Sequence, residues 1–308
     1  MGAATRSATL AMRITVASLA ALGAIAAATD DSALVREQKT VMVDGKPEIW
    51  RLQWDSRPSP ICGAEAADVS LTCPCSGFAY AEQAPLSLVR IRSDGKVERL
   101  ELGSLFQEGP VVGSGGGRAV LQRWAPIEAD QPDNDWQHVG DEDFAARVAQ
   151  RPLVDVMQFS DFDHDGQATE FLFQVATLPC GKHQMVLVGI SKTNPHLHIF
   201  SSQEKPNEPL ILGSWEWQAL HDNPGPIDVI DWHCGDHGSD QLWTVHLLAA
   251  AGSIHATKIA RQCPDPTQSE AYKEILKLND MFQRKQIPYD EFIKRKMELI
   301  KQLPGDPQ

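Results

Sequence analysis

The sequence predicts an all-β antiparallel body, either an atypical β-propeller-like array or a β-sandwich, followed by a C-terminal α-helical hairpin. Three observations carry this. From Val41 to Ile259 apolar residues fall in short alternating or continuous runs separated by Gly, Pro, Asp and Asn, which is the pattern of strands and turns. From Ser269 the apolar spacing changes to that of a helix. Before both, Arg6 and Arg13 precede an apolar stretch, Ile14 to Ala26, that ends in small residues, the pattern of a secretory leader. The chain therefore divides into 1–28 as signal peptide, 29–265 as a β-rich domain, and 266–308 as linker and helical hairpin.

The leader is expected to be cleaved near Ala28, and its apolar stretch is shorter than the ~20 residues that cross a bilayer. A secreted or periplasmic chain with no membrane span is the expectation. Loss of Arg6 and Arg13 takes the formal charge from -13 to -15. So acidic a chain repels phosphate backbones and anionic lipid, which argues against nucleic acid as the partner.

In order along the body, Val41-Met-Val, Asp44-Gly45 and Glu48 to Trp54 predict one hairpin, and Leu88 to Ile91, Ser93-Asp-Gly-Lys and Val97 to Leu100 predict another. Further strands are expected at 119–124, 153–159, 170–175, 185–190, 196–200, 215–220, 226–232, 241–248 and 254–259. The segments 109–117 and 125–142 read as surface loops, with one short helix at 141–150. Gly113-Ser-Gly-Gly-Gly117 lacks the Gly-Lys-Ser/Thr ending of a phosphate loop and reads as a turn. The six cysteines, Cys62, Cys73, Cys75, Cys180, Cys234 and Cys263, suit disulfides in an exported chain. Cys234 with Cys263 is the preferred pair. Zinc held by Cys73 and Cys75 is the rival reading, against which no second Cys-x-x-Cys pair occurs.

The sharpest chemical statement is the run Asp161-Phe-Asp-His-Asp-Gly-Gln-Ala-Thr-Glu170. Carboxylates on alternate residues can turn inward around one hard cation, and Gly166 permits the tight turn between them. That is a calcium loop. An EF-hand needs helices on both sides and a glutamate at loop position twelve, where Leu172 stands between predicted strands. The run instead resembles the Asp-x-Asp-x-Asp-Gly loop of FG-GAP and VCBS repeats, the calcium loops of integrin-type β-propellers, with the last acid displaced from Thr169 to Glu170. The resemblance implies Asp161, Asp163 and Asp165 as side-chain ligands, the carbonyl of Gln167, and Glu170. A faint repeat accompanies it, since Asp94, Asp165 and Asp236 are spaced by 71 residues, a spacing that chance recurrence of turn residues also produces. The cation would fix two strands, or serve a regulatory role; an empty solvated turn is the bland alternative.

Two further groups offer other chemistry. His196, His198, His233 and His237 suggest a metal-dependent hydrolase, although their spacing matches no strong metal signature. Trp215 and Trp217, on one face of a predicted strand, suggest a glycan-binding module, although indoles more often fill β cores. No Gly-x-Ser-x-Gly elbow or His-Glu-x-x-His helix occurs, so the sequence displays no nucleophile or catalytic metal centre. The expectation is a non-catalytic binding or interaction protein with a protein or glycan partner.

In the C-terminal segment Ala271, Ile275, Leu278 and Phe282, then Phe292, Lys296, Leu299 and Leu303, mark two amphipathic helices, the second opened by Pro288. Tyr272 to Leu303 resembles a SHOCT (short C-terminal) domain in Leu278, Met281, Ile287, Glu291-Phe292, Lys296 and Leu299, with Gln286 and Pro288 where a glycine and a threonine are usual. The resemblance implies assembly, including homo-oligomerisation through the hairpin. Docking back onto its own body is the alternative, since two ~12-residue helices are marginal alone.

Overall fold

The computed structural model describes residues 34–62, 78, 80–109, 114–125, 146, 148–178, 182–235 and 238–302. The leader, Cys73, Cys75, Cys180, His237, most of the 125–142 loop and most of the 141–150 helix lie outside these residues.

Among the described residues the body is mostly strand, and its strands form four antiparallel sheets. The first is ordered β1 (Leu34–Val43), β2 (Lys46–Trp54), β5 (Leu86–Ile91) and β6 (Val97–Glu101). Both of its predicted hairpins form. At the first turn Asp44 and Gly45 take φ of 49° and 73°, the left-handed geometry that two-residue hairpin loops require. A second sheet joins β3 (Ser59–Pro60), β4 (Ala81–Ala84) and β7 (Ala119–Gln122). In the third, β9 (Lys182–Gly189) is central. It pairs with β8 (Glu170–Leu178) along one edge, and with β10 (His198–Ile199) and then β11 (Ile211–Gly213) along the other. The fourth is β12 (Ile227–Trp232), β13 (Gln241–Ala250) and β14 (Ser253–Gln262).

Strands β8 and β9 explain how these sheets share a core. Phe171, Phe173, Val186 and Val188 join Trp50, Leu52, Phe106 and Met157 in one buried cluster. Leu187, one residue out of phase, joins Phe162, Phe200, Trp217, Leu220 and Leu247 in another. Alternate residues point to opposite faces, so this sheet is apolar on both sides and its sequence reads as a nearly continuous hydrophobic run.

Two expected strands are absent. Residues 215–220 lie within helix α1 (Ser214–Asp222). The Trp-x-Trp spacing mimics a strand, but Trp217 and Leu220, three apart, are fully buried on one helical face. The segment 153–159 is extended but makes no ladder beyond the isolated bridges Trp124↔Leu153 and Ser160↔Glu170. Its amides go elsewhere: Val156 and Met157 donate to the Glu37 carboxylate at 2.8 and 3.0 Å. A side chain 119 residues away does the work of a neighbouring strand.

Cys234 and Cys263 form a disulfide between the end of β12 and the end of β14, with Cα atoms 5.7 Å apart. Beyond it run α2 (Glu270–Gln283) and α3 (Tyr289–Ile300), the expected hairpin. Ser269 caps α2 by accepting from the Tyr272 amide, and Leu278, Ile287 and Phe292 make a small core in which Phe282 stacks on Phe292 at 4.5 Å. Among the described residues no helix is long and apolar enough to cross a membrane.

Candidate metal centre and the cavity beside it

The acidic run occupies the connection into β8. Backbone pairing of Ser160 with Glu170 closes it, Ser160 N–H donating to the Glu170 carbonyl at 2.8 Å. Two positive φ angles, 53° at His164 and 89° at Gly166, bend the chain between them. A side chain at Gly189, opposite Glu170 in the ladder, would collide with the Thr169 carbonyl, so glycine lets β9 approach the end of the loop.

Of the five predicted ligand residues, the fold brings Asp161, Asp163 and Glu170 together, with one carboxylate oxygen of each within 4.8 Å of the others. Asp163 and Glu170 are fully buried and Asp161 is half-buried. Asp161 accepts from the amides of Asp165 and Gly166 at 3.0 and 2.9 Å. Glu170 accepts from Phe162 N–H and the Thr169 hydroxyl at 3.1 and 2.7 Å. Asp163 accepts the Asp165 amide on Oδ1, while its Oδ2 is buried with no hydrogen-bond partner.

The carboxylate of Asp165 is used differently. It accepts from the amides of Gln167 and Lys192 at 2.8 and 2.6 Å, tying the turn to the residues after β9, while the Lys192 ammonium caps its carbonyl. Gln167 sends its side-chain amide to Asp44 at 3.0 Å. His164 turns outward from the acids, its Nε2 lying 2.7 Å from the Leu220 carbonyl.

Electrostatics at the centre follow from burial without counter-charge. Desolvation, then the charge of Asp165, pushes the Asp163 carboxyl up to about 7. Desolvation, then the charge of Asp163, pushes Glu170 up to about 9. Two buried acids facing each other resist holding two negative charges unless a cation lies between them. The donor set fits a hard cation: it is all oxygen, and it contains one buried carboxylate oxygen for which the protein supplies no proton donor.

The described histidines of the predicted set form no metal-holding group. His196 pairs with Glu98 at 3.4 Å, and His198 turns its Nδ1 to within 2.8 Å of the His196 carbonyl, with its ring 4.3 Å from Phe200. His233 follows β12. Among the described residues Asp161, Asp163 and Glu170 form the one group placed to hold a metal. The two tryptophans separate as well. Trp217 is fully buried, its indole N–H donating to the Met185 carbonyl at 3.0 Å, so it offers no face to a sugar. Trp215 and Trp232 instead flank Lys182, whose Nζ lies 5.4 and 3.9 Å from their ring centroids. Glu216, next after Trp215 in sequence, is buried, with both carboxylate oxygens unpartnered.

A cavity of about 490 Å³ opens beside the acid loop, with Ser160 and Phe162 on one wall and His221 of α1 on another. No spacing motif marks this grouping in the sequence, since Ser160 and His221 are 61 residues apart. Comparison of the chain with protein-family models, with curated proteins and with solved structures gives no match.

Proposed function

We propose that this chain is a secreted or periplasmic, calcium-stabilised β-domain that works as a binding or interaction protein, with its C-terminal hairpin as the assembly element. The observation that carries the calcium reading is the buried, partnerless Oδ2 of Asp163 facing Asp161 and Glu170. Asp161, Asp163 and Glu170 would hold the ion, in keeping with the FG-GAP-type resemblance of the run. The remaining oxygens of a six- to eight-fold shell would come from carbonyls and water. Asp165 would fix the turn, and the all-oxygen set favours calcium over zinc.

Three findings support the rest. A β8–β9 sheet packed on both faces is what a propeller blade requires and a two-layer sandwich does not, so the sheets fit an atypical propeller better. In the hairpin, α3 exposes Tyr289, Ile293, Met297 and Ile300 at helical spacing, and α2 exposes Leu276. A second copy of the hairpin would cover that stripe, as the SHOCT-like sequence suggests. The Cys234–Cys263 bond suits an oxidising compartment. Calorimetric titration of chelator-stripped protein with calcium tests the central claim. A stoichiometric binding event that disappears in Asp163→Ala is expected. Absence of heat and of any thermal stabilisation by calcium would overturn it.

A further inference from the structure

We propose that Ser160, His221 and Asp222 form a nucleophile, base and orienting carboxylate that transfer the acyl group of small neutral esters in the cavity beside the acid loop. Ser160 Oγ lies 2.6 Å from His221 Nε2, and His221 Nδ1 lies 3.2 Å from Asp222 Oδ1. The proton positions follow from the partners. An ionised carboxylate only accepts, so Nδ1 carries the hydrogen and donates to Asp222, which leaves the lone pair of Nε2 to accept from the Ser160 hydroxyl. That is the tautomer a general base needs.

Each member is held. Ser160 is fixed through both backbone hydrogen bonds of its bridge to Glu170. His221 and Asp222 end α1, anchored by buried Trp217 and Leu220. Gln218, one turn earlier, donates to Asp222 at 2.8 Å, and the His221 ring lies 5.1 Å from Phe162.

The cavity fits the substrate class. Its volume of about 490 Å³ lies in the range of small-molecule sites, and Leu121, Val156, Phe159, Phe162, Leu172 and Met185 present an apolar wall to an acyl chain. Asp155 and Asp222 at this site, with the acidic net charge, disfavour anionic substrates.

The chemistry balances without a metal or redox partner. Ser160 Oγ bonds to the ester carbonyl carbon as its proton passes to His221 Nε2. The bond to the alcohol oxygen then breaks, and the departing alkoxide takes that proton. Water next attacks the acyl-serine, giving a proton to Nε2, and the carboxylic acid leaves as Ser160 recovers its hydrogen. Asp222 is well exposed, its side chain 65% accessible, so water competes for its hydrogen bond and its loss should cost less than loss of His221.

No step uses the loop's cation. The test is treatment of the full-length protein with diisopropyl fluorophosphate, read by intact mass and peptide mapping, together with p-nitrophenyl butyrate hydrolysis. One diisopropylphosphoryl adduct on Ser160, formed with loss of fluoride, is expected, absent from Ser160→Ala and from His221→Gln, with hydrolysis falling roughly 100-fold in each. Circular dichroism confirms folding, and Ser160→Cys, which keeps the nucleophile, should react with iodoacetamide at position 160 if the alanine variant does not fold. An unlabelled Ser160 in the wild type, or equal hydrolysis by wild type and a folded Ser160→Ala, would show a merely structural hydrogen bond and overturn the proposal.

Discussion

Replacing Glu216 by glutamine should stabilise the protein at pH 8 and leave it unchanged near pH 4.5. Glu216 is 1% exposed and neither carboxylate oxygen has a hydrogen-bond partner. Burial, with a further contribution from the charge of Asp231, pushes it from its ordinary 4.5 up to about 7. The folded state therefore binds this proton more tightly than the unfolded chain. Stability from the group is fully present below about 4.5 and is lost as pH rises to about 7. The shift corresponds to roughly 3 kcal/mol, or roughly 6 to 10 °C in Tm for a chain of this size. Glutamine keeps the shape and is neutral at every pH, so the variant should lack that slope. Paired melts of both proteins from pH 4.5 to 8, in calcium, read the joint titration of Glu216 and the Asp231 carboxylate that acts on it. Parallel curves would mean that Glu216 keeps its charge at no cost in the fold, and would refute the reasoning.

The other expectations concern separate parts of the molecule. Asp163→Ala should lower Tm in calcium and not lower it in chelator, because only the loaded state gains free energy from the site; equal losses in both buffers would sink the calcium reading. In chelator, wild type should lose stability as pH rises from 5 to 8, since Asp163 and Glu170 are pushed up to about 7 and 9, and calcium should flatten that slope. Trp217→Ala should cost about 3 to 5 kcal/mol in denaturant melts, with Trp215→Ala costing much less; the reverse order would contradict their burial. Ile293→Glu with Met297→Glu should shift the mass measured by light scattering from dimer to monomer, and an unchanged mass would remove the hairpin as the assembly surface.

What could be read from the sequence was local. Asp44-Gly45 and Ser93-Asp-Gly-Lys announced hairpins because their turns demand backbone angles that few residues adopt. Asp161, Asp163 and Gly166 announced a folded acid loop for the same kind of reason. What could not be read depends on distant partners. Strand-like residues 153–159 are held by Glu37, which no local pattern reveals. Trp215-Glu-Trp217 has strand spacing, and only the packing of Trp217 and Leu220 under β9 makes it helical. Asp165, which alternates with Asp161 and Asp163, also accepts the Lys192 amide 27 residues on, a contact no local pattern shows. Ser160 and His221 meet because the acid loop and α1 flank one cavity.

Strand β9 has a consequence for how the body comes apart. Its even-numbered valines, Val186 and Val188, and its odd-numbered Leu187 feed two different clusters. Neither cluster can open around this strand without leaving the other facing water on one side. Heat or denaturant should therefore take both down in one transition, and a cavity made at Leu187 should loosen amide protons on Trp50 and Leu52 as well as on Leu247, measured by hydrogen exchange.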